Sequence, residues 1–417
     1  MSQQQFQRSN VIENAAQGRL TVSQAAELLH LSRRQVKRLK ARYQPDHPAW
    51  VLHGNAGRIP HNRTTESVRQ QVIAFAKGKY RGFNDSHLCE KLVQVERLPL
   101  SRETVRVVLR CAGLPSPQSR RPRRYRGRRE RRPQFGMMVL TDASPHDWLE
   151  GRGPRLTLVG QMDDATSTVL AARFQLAPED TAGYLVTLRR MVETHGVPAS
   201  LYRDQHSTFQ RNDRYWTLEE ELAGRQTPTQ LGRVLEELSI TQIAALSPQA
   251  KGRIERLWRT FQDRLISELR LAGAHDLDSA NHVLEGFLPE FNRRFAVQPP
   301  KAGSLFRRLD RRVNLDRIFC LRYERVVAKD HTIPFGPHTI QLPPLPAHRG
   351  YAGQTVQLCH QPNGELQVYL QDRLLLNTRL GAPTEPVRSR PVKRKQPTKK
   401  LPRIYFFAGT PALAIRP

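Results

Sequence analysis

SPQAKGRIERLWRTFQDRL, residues 247–265, is the stretch whose reading decides the architecture. Within it Ile254, Leu257, Trp258, Phe261 and Leu265 recur at intervals of three and four, the spacing of one buried helix face. Lys251, Arg253, Glu255, Arg256, Arg259 and Arg264 do not all fit that stripe, and Ser247, Pro248 and Gly252 make a polar entry. Glu255 is therefore a carboxylate in the first turn of a long amphipathic helix. ITQIAAL (240–246), just upstream, has the character of a buried strand, so a strand runs into this helix.

Further upstream the same alternation repeats. QFGMMVLTDAS (134–144) reads as a buried strand ending in Asp142, and LTLVGQMDDATSTVLAARF (156–174) as two strands joined by a turn at residues 163–166. DTAGYLVTLRRMVETHGVP (180–198) is a helix closed by Gly196, with Pro198 beyond it. ASLYRDQHSTF (199–209) is a short strand ending at Asp204, and a polar, helix-rich stretch fills 210–240. Strands alternating with helices imply an α/β sheet. Asp163 and Asp164 compete with Asp142 and Asp204 for a functional role, but Asx hydrogen bonds in a hairpin turn account for them more simply. His146 and Asp147 either contact a ligand or shape their loop.

The chain has 417 residues, with 67 Lys and Arg against 38 Asp and Glu, a net charge of +29. That length implies two or three domains. So large a positive excess favours an anionic polymer, because phosphate contacts release counterions. A membrane is excluded on two grounds: no stretch approaches the roughly 18 apolar residues of a spanning helix, and Met1–Asn10 lacks the apolar core of a signal peptide. Cys89, Cys111, Cys320 and Cys359 are too scattered for a disulfide framework or a zinc ribbon and read as reduced thiols. His47, His53, His61 and Cys89 match no usual zinc spacing.

The N-terminal region reads as a helix-turn-helix. Val22, Ala25, Ala26, Leu28 and Leu29 line one helix face, Ser32 caps a second helix, and Val36 and Leu39 point inward from it. Arg33, Arg34, Gln35, Lys37, Arg38 and Lys40 lie on or beside its outer face, where a recognition helix meets groove edges and phosphates. A solvated basic hairpin is the plainer alternative. A second helical region (64–113) has Ser101 as N-cap and Val105, Val108 and Leu109 inward. SRRPRRYRGRRERR (119–132) cannot bury a core; Arg123, Arg124 and Arg126 within it suit a phosphate-tracking linker. After Pro299 apolar and polar residues alternate between Gly, Pro and Asn363-Gly364 turns, as in a small β-barrel. The resulting boundaries are 1–63 and 64–118 (two all-α helix-turn-helix modules, the second winged-helix-like), 119–133 (linker), 134–298 (α/β core), 299–385 (small β domain) and 386–417 (basic disordered tail).

Mg²⁺ prefers octahedral oxygen coordination, and a phosphate-cleaving site holds its carboxylates on neighbouring elements. Asp142, Asp204 and Glu255 meet that requirement. TDAS around Asp142, YRDQHSTF around Asp204 and the helix bearing Glu255 resemble the core of DDE transposases and retroviral-type integrases, and DASPHDWLEGRG (142–153) resembles the bacterial insertion-sequence group ISNCY. The resemblance spans nearly the whole chain. It departs at Asp204-Gln205-His206, where relatives often have D-x-G, and in an Asp204-to-Glu255 interval longer than the commoner one.

The resemblance implies a ribonuclease H-like integrase core. It also implies Asp142, Asp204 and Glu255 as catalytic residues and ligands of two Mg²⁺ ions, with Mn²⁺ able to substitute. Its partners would be double-stranded DNA at element ends and target, in a homo-oligomer assembled on that DNA. Lys251, Arg253, Arg256 and Arg259 would hold flanking phosphates, and the location would be the bacterial cytoplasm, at the nucleoid. The competing reading is a helix-turn-helix regulator, or degenerate copy, without catalysis. An RNA-directed nuclease is disfavoured by the paired N-terminal modules.

Overall fold

Local caps and turns set the element boundaries. The computed structural model describes residues 3–45, 47, 50, 59, 63–117, 129–176, 178–211, 215–245, 252–310, 312–344 and 350–383. The chain divides into two compact units, residues 1–75 and 76–417.

In the first unit α1 (Gln3–Ala16), α2 (Val22–Leu28) and α3 (Arg33–Ala41) close on Ile12, Ala15, Ala25, Ala26 and Val36. Thr21 opens α2 with a capping box: its hydroxyl accepts the Gln24 N–H at 3.2 Å, and the Gln24 side chain accepts the Thr21 N–H at 2.9 Å. Ser32 caps α3, accepting the Gln35 N–H at 3.2 Å. Leu28, expected to face inward, is 60% exposed; the small Ala25 and Ala26 form the buried side of this seven-residue helix instead. Helix α4 (Glu66–Lys77) runs across the division between the units.

The larger unit begins with α5 (Asp85–Gln94) and α6 (Arg102–Cys111), capped by Asn84 and Ser101 and burying Leu88, Leu92, Val105, Val108 and Leu109. A short parallel pair joins β1 (Gln134–Phe135) to β7 (Lys301–Ser304). Between them lie β2 (Val139–His146), β3 (Leu156–Asp163), β4 (Val169–Gln175), α7 (Thr181–His195), β5 (Ser200–Arg203), α8 (Leu218–Ala223), α9 (Gln230–Glu237), β6 (Thr241–Ala244), α10 (Gly252–Leu271) and α11 (Leu277–Phe295). The five-stranded sheet has order β4-β3-β2-β5-β6, antiparallel from β4 to β2 and parallel from β2 to β6. Val139, Val159 and Leu201 pack with α7 and α9 on one face. Leu140, Leu158 and Tyr202 pack on the other with Ile254, Leu257, Trp258 and Phe261 of α10 and with α11. Every residue of β3 is buried, as befits a strand covered on both sides.

Helix α5 meets α10 and α11 through charge. Glu90 pairs with Arg264 at 2.6 Å and with Arg294, and Glu268 takes His87 and Lys91, both at 2.7 Å. Helices α5 and α6 of the second helical region thus belong to the same compact unit as the sheet, whereas most of α4 falls in the first.

The remaining elements are α12 (Leu315–Ile318), β8 (Leu321–Val326), β9 (Thr332–Phe335), β10 (His338–Gln341), β11 (Thr355–His360), β12 (Glu365–Leu370) and β13 (Arg373–Arg379). Among the described residues they make an open antiparallel sheet, β13-β12-β11-β8, and a separate β9-β10 hairpin, with no pairing between β13 and β8 to close a barrel. Gly364, at φ 91°, turns β11 into β12 where Asn-Gly signalled a hairpin. Leu321, Leu358, Leu366 and Val368 share a core with α7 and α9. The basic tail, 386–417, lies outside the described residues. No helix among those described is long and apolar enough to cross a membrane.

The stretch 210–240 is pinned by Glu220. This side chain is only 4% exposed, accepts the N–H of Thr217 at 3.0 Å and of Thr227 at 2.8 Å, and pairs with Arg211. The Thr217 and Thr227 N–H groups hold its carboxyl down at about 2. A carboxylate depressed from about 4.3 in the unfolded chain contributes stability that is complete above that value and is lost as pH falls toward the folded one. Melting curves of wild type and Glu220→Gln should therefore lie furthest apart above about pH 5 and converge as pH falls from about 4 toward 2.

Candidate active site

Strands β2 and β5 run parallel, with Val139 opposite Leu201 and Leu140 opposite Tyr202. Two residues further along come Asp142, inside β2, and Asp204, the first residue beyond β5, so the register brings both to the same end of this strand pair. Asp142 does not end its strand as expected: β2 continues to His146, paired antiparallel with β3, and Asp142 lies opposite Gly160. What ends near Asp142 is the pairing with β5. Both carboxylates are half-buried.

Helix α10 is tied to this point by Trp258, whose Nε1 donates to Asp142 Oδ2 at 3.0 Å. Gly160 makes room for the ring: a Cβ there would stand 3.0 Å from Trp258 Cη2. Trp258, read from sequence as a packing residue, is buried and also a hydrogen-bond donor to the site. Glu255 lies three residues earlier, one helical turn away, and is half-buried. Among the described residues, no three His, Cys, Asp or Glu side chains converge closely enough to hold an ion.

Glu179, just ahead of α7, carries no sequence signal, yet it faces the same two aspartates. Its Oε1 accepts from the buried Tyr184 hydroxyl at 2.7 Å and stands 3.6 Å from His206 Nδ1. Burial pushes its carboxyl up and the charges of Asp204 and Asp142 add to the rise, against the Tyr184 hydrogen bond and His206. Asp204 Oδ1 accepts the His206 N–H at 3.0 Å, which fixes the first residues beyond β5.

Asp163 and Asp164 are both fully buried. Asp163 closes the β3–β4 turn, accepting from the N–H groups of Gly136 and Thr166 and from the Thr166 hydroxyl at 2.8–2.9 Å. Asp164 accepts from Arg129 Nη2 at 2.6 Å, from the Arg132 N–H at 2.8 Å and from Arg253 Nη1. Burial pushes the Asp164 carboxyl up, but Arg129, the Arg132 N–H and Arg253 together hold it below its ordinary value. Arg253, counted by sequence among residues for flanking phosphates, is thus engaged internally.

Of the other residues singled out, Arg33, Arg34, Gln35, Lys37 and Arg38 are exposed on α3 around the buried Val36. Arg256 and Arg259 are exposed on α10. Lys251, Arg123, Arg124 and Arg126 lie outside the described residues. Asp147 Oδ1 accepts the Gly151 N–H at 3.1 Å and His146 packs edge-on against Trp148, so both shape their loop.

Residues 8–70 match the winged helix-turn helix family. The chain is 36% identical over 369 residues to the putative transposase y4bF of Sinorhizobium fredii, covering 88% of this chain and 79% of that one. It is 29% identical over 363 residues to the transposase for insertion sequence IS1202 of Streptococcus pneumoniae, covering 78% and 75%. Among solved structures, a chain of the simian T-cell lymphotropic virus intasome in complex with PP2A regulatory subunit B56 gamma aligns over 68% of this chain and 92% of its own, at 13% identity and a TM-score of 0.31. The chain belongs to the transposase family that y4bF represents.

The packing of Trp258 on Gly160 has a direct consequence. Gly160→Ala should destabilise the protein by about 1–3 kcal/mol through overpacking. It should also displace the indole from Asp142, read as a lowered denaturant midpoint together with a shift in tryptophan emission.

Proposed function

We propose that the protein is a DDE-type transposase with a ribonuclease H-like core, which binds insertion-sequence ends and catalyses metal-dependent strand cleavage and strand transfer. The observation that supports this most directly is the parallel register of β2 and β5, which carries Asp142 and, one residue beyond β5, Asp204 to the same end of the strand pair, with Trp258 linking Asp142 to the helix of Glu255. The donor chemistry fits Mg²⁺: Asp142 in β2, Asp204 immediately beyond β5 and Glu255 in α10 offer hard anionic oxygens. In this reading Glu255 joins the two aspartates when ions and DNA are bound. The chemistry two such ions supply is activation of an attacking water or DNA 3′-OH and neutralisation of charge on the phosphorus oxygens.

The chain's own residues bind and orient. Helix α3 would present Arg33, Arg34, Gln35, Lys37 and Arg38 to a major groove. Arg256 and Arg259 would fix phosphates beside Glu255, and Arg123, Arg124, Arg126 and Lys251 would add sequence-independent affinity. Trp258 keeps Asp142 oriented, and no protein nucleophile is needed because water and the freed 3′-OH attack in turn. Pairing two element ends calls for at least two copies assembled on DNA.

On a labelled duplex carrying the element's own end, the wild type should nick and join strands with Mg²⁺ or Mn²⁺. Glu255→Gln should lose more than about 100-fold of that activity, beyond the usual loss from a supporting partner, while still shifting the duplex in a gel. A wild type that binds the end tightly but cuts with neither metal would make the protein a DNA-binding regulator.

A further inference from the structure

The β3–β4 turn holds two adjacent buried carboxylates, and the turn needs only one of them. Asp163 satisfies the Thr166 N–H within the turn and the Gly136 N–H just ahead of β2, both uncharged donors. The Asp164 carboxylate takes none of these and reaches instead to distant parts of the chain. Its oxygens accept from Arg129 Nη2 at 2.6 Å, Arg129 Nη1 at 3.2 Å, the Arg132 N–H at 2.8 Å and Arg253 Nη1. Its own N–H donates to Met138 O at 3.0 Å, and its carbonyl accepts from Arg131 Nη1 at 3.1 Å.

Three of these partners, Met138, Arg129 and Arg253, lead toward the three carboxylates. Met138 lies four residues before Asp142 at the entry to β2. Arg129 sits over the ring of Tyr202, 5.6 Å from its centroid and two residues before Asp204. Arg253 lies two residues before Glu255, and its Nη2 also donates to the Arg129 carbonyl. A buried, charged carboxylate joined to arginines from separate segments resists displacement, because moving any one partner leaves charge uncompensated.

We propose that Asp164 is a positioning residue that fixes Asp142, Asp204 and Glu255 relative to one another and couples them to the arginine-rich segment preceding the core. This rests on the transposase reading above. Arg129, Arg131 and Arg132 form the last part of the run 119–132, and the rest of that run has the composition to follow a DNA backbone. Arg253 serves the site from within, through Asp164, rather than by touching DNA.

The test compares wild type, Asp164→Asn, Arg253→Lys, Arg129→Gln and the Asp164→Asn/Arg253→Lys double variant on the same end duplex. Four quantities are read: end affinity, melting midpoint, cleavage rate at saturating DNA, and the Mg²⁺ concentration for half-maximal cleavage. Asp164→Asn should keep end affinity, lose about 10- to 100-fold in cleavage rate and need more Mg²⁺. Arg253→Lys, which keeps the charge, should retain most of the rate, and the double variant should be no slower than Asp164→Asn alone.

If Asp164→Asn does not fold, Arg129→Gln carries the test, since it removes a partner that is one-third exposed and should give the same rise in Mg²⁺ requirement. Wild-type rate and Mg²⁺ midpoint in Asp164→Asn, or in Arg129→Gln where that variant stands in, overturn the proposal. So does a loss of rate matched by an equal loss of folded protein. Absence of cutting by the wild type itself overturns the transposase reading, and this inference with it.

Discussion

A carboxylate with no surface in water must be neutralised where it stands, and at Asp164 that requirement organises the neighbourhood of the site. Unpaired, such a charge costs several kcal/mol, on the order of a domain's whole stability margin. The partners that compensate it come from 32, 35 and 89 residues away in sequence. Satisfying one side chain thus brings together the segment ahead of the sheet, the turn of the β3–β4 hairpin and the first turn of α10. Asp163 next door is held by backbone groups, so burial wins and pushes its carboxyl up, whereas three arginine-derived donors keep Asp164 down. Adjacent identical residues behave oppositely because one meets neutral dipoles and the other cations.

The gross count of 67 Lys and Arg overstates the cations free to meet DNA. Arg264 is spent on Glu90, Arg270 on Glu150, Arg322 on Glu237 and Arg253 on Asp164. Arg203 is buried beneath Phe209 and bonded to Gln242 at 3.0 Å, holding β5 to β6. Of the described residues proposed for DNA, those that remain exposed lie on the outer face of α3 and at Arg256 and Arg259 on α10. Arginine suits both roles, since its planar fork satisfies a buried carboxylate as well as it does a phosphate.

Those features legible in the sequence are the ones set by local rules. The α10 stripe, the Ser32 and Ser101 caps and the Asn363-Gly364 turn depend on neighbours a few residues away, and the structure has each of them. The Thr21 capping box was equally local and could have been read from Thr21 and Gln24. Helix α11 is equally local: Asp276 caps it, and Ala280, Leu284, Phe287, Phe291 and Phe295 repeat at helical spacing. What could not be read is non-local. Strand β2 extends past Asp142 because β3 pairs with it as far as His146, through Pro145. Leu28 is outside because two alanines suffice inside. Glu179 and Asp164 look like surface acids until the partners that bury them are known.

The long interval between Asp204 and Glu255 was the sequence feature hardest to reconcile with the family pattern, and the sheet accommodates it. Strand β6 pairs with β5 in unbroken parallel register, Ser200 opposite Thr241 through Arg203 opposite Ala244. The chain therefore comes back to the sheet beside the strand it left, whatever length is spent between. That extra length is folded as α8 and α9, closed by the Glu220 hydrogen bonds, and α9 buries Leu231, Val234 and Leu235 on the face opposite α10. Because α9, the crossover that a parallel β5–β6 pair requires, packs on one side of the sheet and the Glu255 helix on the other, the length of chain between the two strands places no strain on that helix. The position of Glu255 is set by the Trp258 bond to Asp142 and the Arg253 bond to Asp164, neither of which involves the inserted residues.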